Sequence, residues 1–156
     1  MVRVPARCPL VITSNSGYPL DQNLYQTVKG LSAAARVCSE GGDILVASEC
    51  ADGIPAHGNF AKIMAECETP QALLDWTGSR PACILDQWQA QVLGEVLKRC
   101  RVSVFSSLPA SEVEQCMMTP VAELQTAVDQ ALKVLGNDSD VAVLPHGPLT
   151  IPFVDE

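Results

Sequence analysis

Chemistry is concentrated where an apolar run gives way to a tight turn. Ser14-Asn15-Ser16-Gly17 follows Leu10-Val-Ile-Thr13 and leads through Tyr18-Pro-Leu-Asp21 into a helical pattern. Gln22, Gln26 and Lys29 fall at i, i+4 and i+7, so one helix face carries two amides and an ammonium, with Tyr25 on its border. Free backbone N–H groups and the helix dipole at such a start favour a carboxylate or phosphate. An amide, a phenol and an ammonium there could orient an oxyacid. The plainer alternative is a solvated polar face, with Tyr25 packed on Leu20 as a hydrophobic staple and Asp21 as the N-cap. No G-x-G-x-x-G and no phosphate-loop lysine pattern occurs, so nothing motif-like supports dinucleotide or nucleoside triphosphate binding.

Other segments offer less. Glu49, Asp52 and His57 could form an acid/base or metal group, but their spacing equally suits a solvated loop with an Asp-Gly turn. Cys50 with His57 suggests a thiol nucleophile that lacks an orienting third residue. Ser106, Ser107 and Pro109 read as a cap and turn. His146, held between Pro145 and Gly147-Pro148, either touches a ligand or is structural. Asp86-Gln-Trp88 reads as a helix cap followed by a core tryptophan, or as the edge of a site. The seven cysteines show no Cys-x-x-Cys and no zinc spacing, which predicts reduced, mostly buried thiols of a cytoplasmic protein.

These residues need elements to hold them. Strands are expected at 10–14, 43–47, 102–106 and 141–144. Helices are expected at about 22–36, 59–67, 71–76, 84–99 and 120–135, with a helical turn at 111–116. Thr69-Pro70 and Thr119-Pro120 both look like a cap with proline at the first helical position. Thr77-Gly-Ser-Arg-Pro81 and Gly136-Asn137 look like helix stops. Leu24, Val28, Leu31 and Ala35 should face the sheet, as should Leu124, Val128, Ala131 and Leu135. Trp88, Val92 and Val96 form a further stripe, with Leu85 and Leu93 beside it. Near-continuous apolar strands alternating with helices predict an α/β fold: a mainly parallel sheet of about four or five strands, helices on both faces, Rossmann-like. Ligands in such sheets bind outside the carboxyl ends of the strands, which directs attention to 14–23, 48–58, 106–109 and 145–148.

With 156 residues, 47% hydrophobic and 18% charged, the chain fits a single folded domain. Ten basic against 18 acidic residues, net −8, with no basic stripe, argues against nucleic acid and anionic membranes. No apolar run is long enough to span a bilayer, and the first residues lack a signal-peptide core.

The run Ile12-Thr-Ser-Asn-Ser-Gly-Tyr-Pro-Leu-Asp-Gln-Asn-Leu-Tyr-Gln-Thr-Val-Lys-Gly30 closely resembles a signature of the nickel-dependent lactate racemase family, near the start of that family's carboxyl-terminal domain. Ser32-Ala-Ala34, Gly41-Gly42, Cys50-Ala-Asp-Gly53, Asp86-Gln-Trp88 and Pro145-His-Gly-Pro148 extend the resemblance over nearly the whole chain. It implies two-domain enzymes that interconvert D- and L-lactate or related small 2-hydroxy acids by hydride transfer to and from a nickel-pincer nucleotide. By the same resemblance, Gln26 and Lys29 bind the substrate's carboxylate or hydroxyl and charged groups of the cofactor. Tyr25 shapes the site and Trp88 lies at the cleft, with Ser14, Asn15, Asp21 and His146 in neighbouring loops. The family's catalytic histidines, cofactor-bearing lysine and nickel ligand belong to the amino-terminal domain, and neither His57 nor His146 sits in a matching motif. Ser16 stands where glycine is common in the family. The chain therefore reads as a carboxyl-terminal domain without its amino-terminal partner. It should carry no catalytic or metal residue of its own, bind no covalent cofactor, be inactive alone, and self-associate through the surface meant for the missing half. The rival readings are a non-catalytic α/β binding or assembly module and a thiol or serine hydrolase.

Overall fold

The structure is a computed structural model that describes residues 1–79, 83–136 and 138–154. Arg80 and Pro81 of the expected helix stop, and Asn137 of the second, lie outside these residues.

Five strands form one parallel sheet: β2 (Cys8–Ser14), β3 (Cys38–Ala47), β4 (Arg101–Phe105), β5 (Thr119–Val121) and β6 (Val141–Leu144), in the order β5-β4-β3-β2-β6. The α/β class and parallel sheet are as expected. A second, two-stranded parallel sheet was not expected; it pairs β1 (Val2–Val4) with β7 (Pro152–Val154). Three-residue strands at opposite ends of the chain carry too little pattern to be read locally.

The first crossover runs through α1 (Leu24–Ala35) and the last through α6 (Leu124–Leu135). The first steps from β2 toward β3 and the last crosses the sheet the opposite way, from β5 to β6, so right-handed connections put these helices on opposite faces. On one face Val11, Ile44, Val46, Val102 and Val104 share a buried cluster with Leu24, Val28 and Leu31 of α1 and Leu93 and Val96 of α4 (Gln87–Arg99). All four residues expected to turn α1 inward are buried. The helices α2 (Phe60–Glu66) and α3 (Pro70–Gly78) complete that layer, and α5 (Ala110–Gln115) precedes β5. On the other face α6 rests loosely. None of its residues is buried, and a groove of about 670 Å³ opens between Ala127, Ala131 and Val134 and the sheet residues Leu10, Leu45 and Ser103. The expected inward stripe of α6 is thus only half covered.

Several boundaries differ from the sequence reading. β3 begins at Cys38, five residues early, because the chain pairs with β2 at Cys8↔Cys38, bulges, and resumes at Leu10↔Asp43. Gly42 makes this possible, since a Cβ there would lie 2.8 Å from the Cys38 sulfur and 2.9 Å from the Pro9 carbonyl. Thr119-Pro120 starts no helix; it forms edge strand β5, where the missing N–H of proline is tolerated. α6 is capped instead by Glu123, whose carboxylate accepts from Gln125 N and Thr126 N at 3.1 and 2.6 Å. α4 begins at Gln87 after Asp86, which has φ +70° and makes no cap bond. Its expected stripe is buried at Val96 and Leu93, while Leu85 and Trp88 are exposed.

Candidate functional site

The turn after β2 is pinned from several sides. The Asn15 N–H donates to Ala47 O at 3.0 Å, its side-chain amide donates to Leu20 O, and residue 15 bridges to His146. Ser16 and Gly17 take φ near +70°. Ser16 N donates to the Ser14 hydroxyl at 3.1 Å. A second loop then clamps the entry to α1: Cys50 N donates to Asp21 O and Asp52 N to Gln22 O, both at 2.8 Å, while Leu24 N donates to Gly53 O at 3.1 Å. Beneath the clamp, the Thr27 hydroxyl lies 2.7 Å from that of Ser48 and 3.4 Å from the Cys50 thiol.

This clamp displaces the expected cap. Asp21 lies outside the helix, and its carboxylate accepts from Glu49 N at 3.3 Å. Asn23 is the N-cap, accepting from Gln26 N at 3.0 Å. The Leu20–Tyr25 staple does not form in that frame. Tyr25 instead meets Phe60 and Trp88 edge-on, with ring centroids 5.6 and 6.4 Å away. Trp88 is 51% exposed and is not a core residue. Burial pushes the Tyr25 phenol above its ordinary range and the Asp86 carboxylate adds to this, while a hydrogen bond with Trp88 works the other way.

Gln26 is half-buried and Lys29 exposed, one turn apart on α1. Neither head group has a hydrogen-bond or ion-pair partner among the described residues. Gly30 follows directly, and its bare Cα packs against the loops: an added Cβ would fall 2.5 Å from Asn15 Oδ1 and 3.5 Å from Pro148 Cδ. The helix therefore presses its second turn onto the carboxyl-end loops of β2 and β6, with Lys29 beside the contact.

A separate crevice of about 470 Å³ lies over the carboxyl ends of β2, β3 and β4, lined by Ser14, Gly17, Asp21, Ser48, Glu49 and Ser106 among others. The candidate residues thus divide. Ser14 and Asp21 face this crevice. Tyr25 and Trp88 form an aromatic wall, with Gln26 and Lys29 on the same helix as Tyr25. Asn15 lies buried beneath, and His146 is exposed at the end of β6. Glu49, Asp52 and His57 do not gather into a metal-holding group among the described residues. Cys50 is 1% exposed, and burial pushes its thiol up, opposing the thiolate a nucleophile needs. Asn23 and the Thr27–Ser48–Cys50 contact escaped the sequence reading because they depend on a loop some thirty residues away.

Known proteins answer to the same arrangement. A family model described as the lactate racemase C-terminal domain matches residues 4–151. The lactate racemase of Thermoanaerobacterium thermosaccharolyticum is 40% identical over 141 residues, covering 88% of this chain and 33% of that protein. That of Lactiplantibacillus plantarum is 36% identical over 148 residues, covering 92% and 35%. The structure of the Thermoanaerobacterium lactate racemase apoprotein superposes with a TM-score of 0.85 at 37% identity, over 97% of this chain and 36% of that one. A Thermotoga maritima protein at 13% identity and TM-score 0.60 shares the fold. The chain spans about a third of the length of the curated relatives it matches. With the family model spanning residues 4–151 and the whole fold superposing on a solved relative, the chain belongs to the lactate racemase C-terminal domain family.

Proposed function

We propose that this chain is the carboxyl-terminal domain of a racemase or epimerase of small 2-hydroxy acids, and that it supplies one wall of an active site completed by an amino-terminal domain. The observation that carries the reading is the pair of unpartnered head groups, Gln26 and Lys29, one turn apart beside the Tyr25–Trp88 wall. An ammonium and an amide left without partners suit a carboxylate and an α-hydroxyl, and such charge-assisted bonds strengthen once water is excluded. Lys29 binds the carboxylate, Gln26 orients the hydroxyl, and the aromatic pair limits how far the Cα substituent can swing.

The nickel-pincer nucleotide fits this donor set through its phosphate and flat ring rather than its metal: an ammonium, an amide and a half-exposed indole–phenol pair are offered. When bound, it supplies a hydride acceptor. Lys29 and Trp88 would contact it from this side, and its covalent attachment and nickel ligands would come from the amino-terminal domain. The seven free thiols fit a reducing cytoplasm. No helix among the described residues is long and apolar enough to cross a membrane.

The test is racemisation of lactate by the full-length protein. Lys29→Ala should lower kcat/KM by about 100-fold or more, the scale of losing one charged donor in a dry site, and Lys29→Arg should recover part of it. A near-normal rate in Lys29→Ala would discard the role.

A further inference from the structure

The faces by which α1 and α4 meet are apolar: Leu24, Val28, Ala90 and Leu93 are all buried in one cluster. Gln89 breaks that pattern. It is 1% exposed, and its Nε2 donates to the main-chain carbonyl of Tyr25 at 2.8 Å. Its Oε1 is buried without a hydrogen-bond partner. A leucine or methionine would fill the same volume without stranding an acceptor, so the amide is kept at a desolvation cost. The bond ties the first turn of α1 to the first turn of α4. The residue whose carbonyl it holds is the one whose ring meets Trp88, and Trp88 is Gln89's own neighbour. Gln26 follows Tyr25 directly, and Lys29 stands one turn on.

We infer that Gln89 is a positioning residue: through the Tyr25 carbonyl it fixes the Tyr25–Trp88 pair, and with it the Gln26 and Lys29 head groups, in the orientation the substrate requires. This rests on the substrate-facing reading of that wall. An apolar side chain at 89 would leave both helices folded but allow α1 to slide against α4, turning the indole away from the phenol. Misplacement on the scale of one ångström is enough to cost orders of magnitude in rate.

The experiment has two arms. In a Trp76→Phe background Trp88 is the sole indole of the chain. There, Gln89→Met should keep the circular dichroism of the parent while acrylamide quenches Trp88 about twice as strongly. In the full-length protein, Gln89→Met should lower kcat for lactate about tenfold or more with KM little changed. A purely structural role would lower the melting temperature and move neither signal. Gln89→Leu is the second variant should methionine fail to fold; collapse of both makes Gln89 a folding requirement and overturns the inference. Unchanged quenching in a folded variant also overturns it, as does unchanged kcat in a protein whose Lys29→Ala variant is inactive. Altered quenching with Lys29→Ala still fully active leaves the tie between the helices standing and removes the racemase reading instead.

Discussion

Asp21 and Asn23 are two residues apart, and both are good capping types. Composition cannot choose between them. The choice is made by the Cys50–Gly53 loop, which occupies the Asp21 and Gln22 carbonyls and the Leu24 N–H and so delays the first turn. Asn23→Ala should therefore lower the stability of the domain by about 1 kcal/mol in urea unfolding, while Asp21→Ala costs clearly less. Equal losses would contradict the assignment of the cap. The same limit applied at Trp88. Helical spacing placed it on a core stripe with Val92 and Val96, yet it is half-exposed, because its partner Tyr25 lies 63 positions earlier and only the fold brings the rings together. That Gln26 and Lys29 share a helix was legible from their spacing, but Gln22, expected on the same face, precedes the Asn23 cap and its carbonyl is held by Asp52 N, so it does not join them.

Among the elements, two identical dipeptides took different courses. Thr69-Pro70 opens α3, its hydroxyl accepting from Ala72 N at 3.1 Å. Thr119-Pro120 joins the sheet edge because β4 offers an unpaired flank there. Local chemistry permits both outcomes, and the neighbour decides. The start of α6 then falls to Glu123, whose hydrogen bonds from Thr126 and Gln125 hold its carboxyl below the usual carboxylate range. With the folded value depressed, its stabilising effect is present above the ordinary carboxylate range and is lost as pH falls through the folded value. Amide exchange of the first turn of α6 should rise on acidification at constant intrinsic rate, and Glu123→Ala should show the raised exchange already at pH 7. A first turn that ignores both changes would refute the cap.

Across the whole molecule, the parallel sheet was legible from apolar strands separated by helices. The β1–β7 pair was not, because its partners lie some 150 residues apart in the sequence. Burial has a consequence for alkaline stability. It raises the thiols of Cys8, Cys50 and Cys67, and pushes that of Cys116 up to about 12. Folded, these thiols stay neutral; unfolded, they ionise near 9.0. Their contribution is complete below that point and is lost as pH rises from about 9 toward 12. The urea midpoint should hold between pH 7 and 8.5 and fall steeply by pH 10.5, with Cys116→Ala flattening the decline. A midpoint independent of pH over that span would show that the thiols do not couple to folding.

The bare Cα of Gly30 bears on any effort to re-engineer the α1 face. The head groups at 26 and 29 have no partner within the described residues, so exchanging them leaves the packing of the domain intact, but a single methyl at position 30 would strike the Asn15 amide and lift the helix from its seat. Every tip on that helix would then shift together. A screen for lost turnover would score this position as though it were chemical, when its whole contribution is to leave a space empty.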